Sequence, residues 1–374
     1  MQIGYDAHLL SRSRGYRAAG MSRHIRNLLE HLPLVAPDAR LRVFVGPDGL
    51  PEAPPPPSVS YRVAHLRTER PRNRILWEQL LAPWELGGLD LCHFPANVVT
   101  LATACPRVVT VHDLSFERFP ELFHPANRAY QRAMVRLSTR LAGRVIAVSD
   151  STRRELVELL RVPEWKIDVI PNGVEPCFQP LPADQVAGFR AEKGLPERFI
   201  LHLGTLEPRK NIVTLLRAYA RLRRARDLPH ALVLAGGKGW LYETIFAEVE
   251  RLGLTDRVYF PGFVEFDEQP LWYNAAAVFA YPSLYEGFGF PPLEAMACGT
   301  PVVTSNATSL PEVVGDAGLM VAPTDEAALA DALWRLIDDQ PLRARLRAAG
   351  PARASRFRWD AIAARTAAVY RAAA

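Results

Sequence analysis

Lysine is scarce in this 374-residue chain: four of its 45 basic residues, Lys166, Lys193, Lys210 and Lys238, are lysine and the other 41 are arginine. Against that bias each lysine is slightly more informative. Cysteine is equally sparse, and Cys92, Cys105, Cys177 and Cys298 form no C-x-x-C pair, which argues against a disulfide framework or a structural zinc site. No uninterrupted apolar run approaches the roughly 18–20 residues needed to cross a bilayer. The opening residues Met1-Gln2-Ile3-Gly4-Tyr5-Asp6 lack the basic and long apolar segments of a secretory signal and read as a strand, so a cytoplasmic protein is expected. No G-x-G-x-x-G follows a strand, and Gly236-Gly237-Lys238-Gly239 lacks that spacing, which argues against a nicotinamide dehydrogenase. Asp-x-Asp is absent and the acids and histidines show no metal-ligand cluster, so no metal ion is expected.

What is present is the balance of a globular protein with a full core, 49% hydrophobic and 23% charged residues. The length suits two domains of about 150 residues or more. A net charge of +5 suits anionic substrates or an anionic surface without identifying either. Strand-like runs at Ile3–Asp6, Leu41–Val45, Leu89–Phe94, Arg107–Val111, Arg144–Val148 and Lys166–Ile170 alternate with helical stretches at Ser22–Leu32, Arg74–Leu81 and Asn127–Leu141. Pro51–Pro57 reads as a loop between strands. The Pro-rich Pro171–Pro182 reads as an extended linker, after which strands restart at Phe199–Gly204, Ala231–Gly236, Arg257–Phe260, Val278–Tyr281 and Pro301–Thr304. The expected fold class is α/β, with two βα domains, mostly parallel sheets and a cleft between them. The expected boundaries are 1–176 for the first domain, 177–190 for the linker, 191–355 for the second domain and 356–374 for a last helix.

Ligands of open α/β sheets sit beyond the carboxyl ends of the strands, so those ends are where chemistry is sought. After Phe199–Leu203 comes G-T-L-E-P-R-K-N (Gly204–Asn211), opening directly into a helix. Gly204 allows close backbone approach, and Arg209 and Lys210 beside a helix start suit a diphosphate, although solvated surface charges would carry the same letters. After Val278–Tyr281 comes Y-E-G-F-G-F-P-P-L-E, which puts Glu286 in a loop and Glu294 in the first turn of the next helix. Both carboxylates suit sugar hydroxyls, and Gly287 and Gly289 leave backbone amides open. The bland alternatives are loop solvation for Glu286 and a favourable helix dipole for Glu294. In the first half, Arg107–Val111 delivers His112 and Asp113 to the carboxyl edge. The Ser11–Gly20 loop, with Gly15 and Gly20, and Phe94-Pro95-Ala96-Asn97 converge on the same edge.

Together these strings resemble glycosyltransferase family 4 over nearly the whole chain. The resemblance rests on G-M-S-R-H-I-R-N-L-L (Gly20–Leu29), V-H-D (Val111–Asp113), V-S-D-S-T-R-R-E-L (Val148–Leu156) and I-P-N-G-V (Ile170–Val174). It continues in G-T-L-E-P-R-K-N, P-G-F-V (Pro261–Val264) and E-G-F-G-F-P-P-L-E-A-M-A-C-G-T-P-V-V (Glu286–Val303). The resemblance implies the GT-B architecture of two Rossmann-like domains, with the C-terminal helix crossing back to the first. It also implies transfer of a sugar from a nucleotide-sugar donor, GDP- or UDP-linked, with retention of anomeric configuration. It assigns Arg209 and Lys210 to the donor diphosphate, Glu294 to ribose and Glu286 to the transferred sugar. His112 would lie beside that sugar, and the backbone around Phe263 would border the base; Gly204, Gly287, Phe288 and Gly289 fall in the same donor-binding strings. Gly20 and Asn97 are expected on the acceptor side. One departure is the loop Arg17-Ala18-Ala19-Gly20-Met21, with its single glycine.

With no divalent ion inferred, the leaving diphosphate would be stabilised by Arg209, Lys210 and backbone amides, with Asp113 a candidate base. The implied acceptor is a glycan or a lipid-linked oligosaccharide, the donor leans towards GDP-mannose, and nucleic acid is not an expected partner. Arg67, Arg70, Arg72 and Arg74 precede an apolar helix bearing Trp77 and Trp84. They leave two readings open: peripheral contact with the inner face of the cell membrane, or an ordinary core helix with solvated arginines. A nucleotide-sugar epimerase and a non-catalytic nucleotide-sugar-binding protein are the competing functions.

Overall fold

The computed structural model describes residues 1–11, 20–51, 54–68 and 70–374. The chain forms two compact units, Met1–Gly173 with Arg358–Ala374, and Val174–Phe357. In the first, β1 (Gln2–Asp6), β2 (Arg40–Val45), β3 (Val59–Val63), β4 (Leu91–Phe94), β5 (Arg107–Val111), β6 (Arg144–Ala147) and β7 (Ile167–Val169) build a parallel sheet of order β3-β2-β1-β4-β5-β6-β7. In the second, β8 (Phe199–Leu203), β9 (Ala231–Ala235), β10 (Val258–Gly262), β11 (Val278–Tyr281), β12 (Val302–Ser305) and β13 (Leu319–Val321) repeat that pattern as β10-β9-β8-β11-β12-β13. Each is the doubly wound Rossmann order, which reverses between its first and fourth strands and so leaves a crevice at their carboxyl ends.

The central strands form because they are almost entirely apolar. F-I-L-H-L and A-L-V-L-A are buried at every position, as helices on both faces of a parallel sheet require. Two of the four edge strands, β3 and β13, escape the sequence reading: β3 is mostly exposed and interleaves polar with apolar residues, and β13 is only three residues long.

Two other expectations change, and a third falls mostly outside the described residues. The proposed linker 177–190 contains the start of a helix, Ala183–Lys193: the last proline of the run, Pro182, is its N-cap, and Gly194 closes it in the left-handed conformation. The helix expected over Arg74–Leu81 is three pieces. Pro71–Leu76 and Ala82–Glu85 flank a π turn, Trp77–Leu81, closed by the Ala82 amide donating to the Trp77 carbonyl. The Ser11–Gly20 loop lies mostly outside the described residues, Gly15 included, and Gly20 itself opens the helix Gly20–Val35.

The final helix, Trp359–Ala373, belongs to the first unit and packs along Gly20–Val35. Several resemblance strings seat it. The Trp359 indole lies on Gly173 so closely that a Cβ there would come within 2.7 Å of the ring. Asn172 accepts a hydrogen bond from His24 Nδ1 at 2.7 Å, and Trp359 meets the His24 ring edge-on. Deeper in, His93 bonds the Tyr370 hydroxyl through Nδ1 (2.7 Å) and the Thr110 hydroxyl through Nε2 (2.8 Å).

Candidate active site

The switch point of the second unit lies between β8 and β11, and the loops that leave those strands carry its charged residues. The loop after β8 is laced to the one after β9. Gly204 donates to the Ala235 carbonyl (2.9 Å), Leu206 to Gly237 (2.9 Å) and Gly239 back to Leu206 (3.0 Å). Gly236, at φ 145°, admits no side chain, because a Cβ would lie 1.9 Å from the Gly204 oxygen. Pro208–Lys210 then makes a single 3-10 turn, Asn211 turns through the left-handed region at φ 59°, and the helix Ile212–Ala225 begins. The string Gly204–Asn211 thus opens directly into the helix, with Arg209 and Lys210 in the turn before its N-cap.

The side chains at this edge form one network. Lys210 is 7% exposed, and its Nζ donates to Glu286 Oε1 at 2.7 Å and to the Tyr281 hydroxyl at 2.6 Å. Arg209 donates to Glu286 Oε2 at 3.1 Å and to the Tyr285 carbonyl at 2.8 Å, while its other nitrogens hold Glu207 at 2.7 and 3.1 Å. The Ser283 and Tyr281 hydroxyls complete the shell of Glu286 Oε1 at 2.7 and 3.0 Å. Burial pushes the Glu286 carboxyl up, but Lys210 and Arg209 together outweigh it and bring it down to about 2. Burial and the neighbouring Arg209 lower the Lys210 ammonium, against the pull of Glu286 and Glu207. Beneath the network His202 stacks on Tyr281 at 5.4 Å and donates from Nδ1 to the Ala280 carbonyl. Burial brings this imidazole down to about 4, and its Nε2 has no partner among the described residues. Two separate tasks were expected of Glu286 and the two cations; here they are ion-pair partners.

Downstream, Gly289 caps the helix Phe290–Ala297 at φ 117°. Glu294 is the fifth residue of that helix, beyond its first turn, so the helix-dipole account does not apply. It is fully buried and accepts from the Tyr273 hydroxyl at 2.7 Å. Phe288 packs its ring edge-on against Phe290 and Phe357, which leaves only its backbone for a ligand. The Ser309 hydroxyl, 2.6 Å from the Phe288 carbonyl and 2.9 Å from that of Glu286, ties the glycine-flanked loop down. Phe263 follows Gly262 off β10, is 45% exposed, and lies beside Gly237, as an aromatic platform would.

In the first unit, His112 leaves β5 half-buried. Asn97, held at φ 68°, accepts the His112 backbone amide at 2.8 Å and donates its own amide to Thr110. His112 Nε2 lies 2.7 Å from the Pro95 carbonyl, which can only accept, so Nε2 bears the proton and Nδ1 is the acceptor of the neutral ring. Burial lowers this imidazole, against the Pro95 carbonyl and Asp113. His24 meets the ring edge-on at 4.8 Å. Asp113 is less suited to the base role expected of it: its Oδ1 accepts both the amide (3.0 Å) and the hydroxyl (2.7 Å) of Ser115, opening the short helix Ser115–Arg118. Gly20 stands at the start of its helix, and among the described residues nothing lies within 4 Å of where a Cβ would be.

Tyr281, Ser283, His202, Tyr273 and Ser309 were not singled out in the sequence. Tyr281 had a usable signal, a polar aromatic as the last residue of a buried strand at the switch point. Ser283 lies three residues from Glu286 in the same loop, whereas the partners of His202, Tyr273 and Ser309 lie more than twenty residues away.

Comparison with known proteins agrees with this arrangement. Residues 18–177 match Glycosyltransferase Family 4, and residues 188–353 match Glycosyl transferases group 1. The chain is 38% identical over 263 residues to the O-antigen chain mannosyltransferase B of Escherichia coli, covering 68% of this chain and 67% of that protein. It is 33% identical over 222 residues to the serotype-specific mannosyltransferase WbdA of Escherichia coli, covering 58% of this chain and only 27% of that much longer protein. Among solved structures, the sucrose-phosphate synthase of Thermosynechococcus elongatus superposes with a TM-score of 0.78 at 25% identity, over 99% of this chain and 98% of that one. The two Rossmann-like units are those of a GT-B enzyme, and the isomerase and the non-catalytic binder give way to a transferase. The chain belongs to glycosyltransferase family 4.

Proposed function

We propose that this glycosyltransferase moves a mannosyl group from GDP-mannose to a glycan or lipid-linked oligosaccharide, with retention at the anomeric carbon and without a metal ion. The observation that carries the donor site is the buried Lys210–Glu286–Arg209 network at the β8/β11 switch point. A diphosphate is the ligand that two clustered cations beside a glycine-flanked loop would hold. The names of the two Escherichia coli relatives support mannose as the sugar.

In this proposal Arg209 and Lys210 take the charge that develops on the leaving diphosphate, in a site dry enough for two cations to count heavily. Glu286 turns from the cations to the sugar hydroxyls, Glu294 holds ribose and Phe263 borders the base. His112, neutral at physiological pH, offers Nδ1 as an acceptor for a sugar hydroxyl. The acceptor hydroxyl attacks on the face that the diphosphate leaves, and a donor phosphate oxygen takes its proton, so no protein nucleophile is required. Thermal-shift titration with nucleoside diphosphates and their sugar conjugates in chelator tests the donor. A selective shift with GDP-mannose, followed by α-linked product on mannose-containing acceptors, supports the proposal. A selective shift with a UDP-sugar, or turnover abolished by chelator, overturns the donor or the metal-independence respectively.

A further inference from the structure

The arginine- and tryptophan-bearing segment is not used by the donor network, and its two tryptophans have opposite fates. Trp77 is a core residue at 7% exposure, joined by Ala82 and Leu86 in the apolar cluster of the first unit. Trp84 is 87% exposed, and Leu80 (61%), Leu76 and Leu81 (45% each) are open to solvent with it. Large apolar side chains standing together in water on successive turns of one helical segment cost free energy unless something covers them. The π turn Trp77–Leu81 widens the helix between the two tryptophans, and the segment keeps Trp77 and Ala82 in the core while it bares Leu80, Leu81 and Trp84. Beside this stripe lies a cavity of about 660 Å³, walled by Leu80, Pro83 and Trp84 on one side and by residues 102–106 on the other.

We propose that this stripe is a docking surface for an anionic lipid bilayer, in which Trp84 and the leucines enter the interface while Arg67, Arg70 and Arg72 meet the headgroups. All three arginines are exposed, and they immediately precede the stripe, whereas Arg74 is held by Glu78 at 3.3 Å. Charge complementarity selects lipid over a neutral protein groove: a basic run joined to a Leu/Trp face is the pattern of helices that lie in the headgroup–acyl boundary. No helix among the described residues is long and apolar enough to cross a membrane, so the contact is a surface one. The proposal is independent of the donor sugar.

The test is co-sedimentation of the full chain with vesicles of phosphatidylcholine alone and of phosphatidylcholine with phosphatidylglycerol, at low and high salt. Binding to the anionic vesicles only, lost at least tenfold in Trp84→Ala/Leu80→Ala and about fivefold for each of Arg70→Ala and Arg72→Ala, is expected. All four positions are exposed, so unchanged melting temperatures check that the variants fold. Brominated lipid should quench wild-type tryptophan fluorescence more than that of Trp84→Phe. Absence of vesicle binding, or binding that the variants leave unchanged, overturns the proposal. So does a concentration-dependent dimer abolished by Trp84→Ala/Leu80→Ala, which would assign the stripe to a second copy.

Discussion

Replacing Glu286 by glutamine should tighten the binding of a bare nucleoside diphosphate while it weakens the fold, two effects of opposite sign from one charge. The carboxylate sits 2.7 Å from Lys210 Nζ and 3.1 Å from Arg209, so it holds both cations that a diphosphate would use. A phosphate charge seated on those cations would lie on the order of 5 Å from the carboxylate, a repulsion of about 3 kcal/mol at an effective dielectric of about 20. Allowing for partial relaxation, glutamine should improve the Kd of GDP or UDP tenfold or more, which is about 1.4 kcal/mol. The same substitution forfeits the stabilisation recorded in the carboxyl's fall from 4.5 to about 2, worth about 3 kcal/mol and about 6–12 °C in the melting temperature of the second unit. Calorimetric titration with GDP and UDP, beside a thermal scan of the free protein, reads both. Turnover should fall as well, because the sugar contact proposed for Glu286 is lost. Unchanged or weaker diphosphate binding would refute the idea that Glu286 occupies the diphosphate's cations.

Other perturbations separate the network from the scaffold. Lys210→Ala should cut turnover by about 10²–10³-fold through loss of transition-state stabilisation and should also lower stability, because it leaves Glu286 with one cation fewer; retained turnover would sink the donor-site proposal. On acidification, the share of stability that Glu286 contributes is present above its unfolded value of 4.5 and is lost as pH falls from there through about 2; chemical unfolding of wild type and Glu286→Gln should therefore converge over that range. Tyr370→Phe strands His93 Nδ1 in the core and should cost about 1–3 kcal/mol in the first unit, with nucleotide affinity in the second unchanged by calorimetry. Gly236→Ala drives a methyl group to 1.9 Å from the Gly204 oxygen, so the loop must shift and GDP-mannose binding should fail even where circular dichroism reports a folded chain.

Much of the scaffold was legible because buried parallel strands demand apolar runs. Val278–Tyr281 and Arg107–Val111 are apolar and β-branched enough to be placed to the residue. The Ile3–Asp6 and Phe199–Gly204 runs missed by one residue at an end, where fraying makes the boundary soft. β3 was illegible because its exposed positions carry polar residues, Ser60 and Arg62 among them, and β13 because three residues make too short a run. Trp77 and Trp84 looked alike as letters, and only the packing around the π turn separates a core indole from an exposed one.

The sequence by itself determined the α/β class, the two βα halves and the strand ends where Arg209, Lys210, Glu286 and His112 stand, because these follow from local periodicity and from which residue ends each strand. The tertiary structure alone decided that Lys210 and Glu286, 76 positions apart, are bonded to each other, and that Arg209, 77 positions from Glu286, shares the same carboxylate. Such pairings depend on which loops the strand order brings to one edge, and strand order is set by crossovers that leave no periodic mark in the chain.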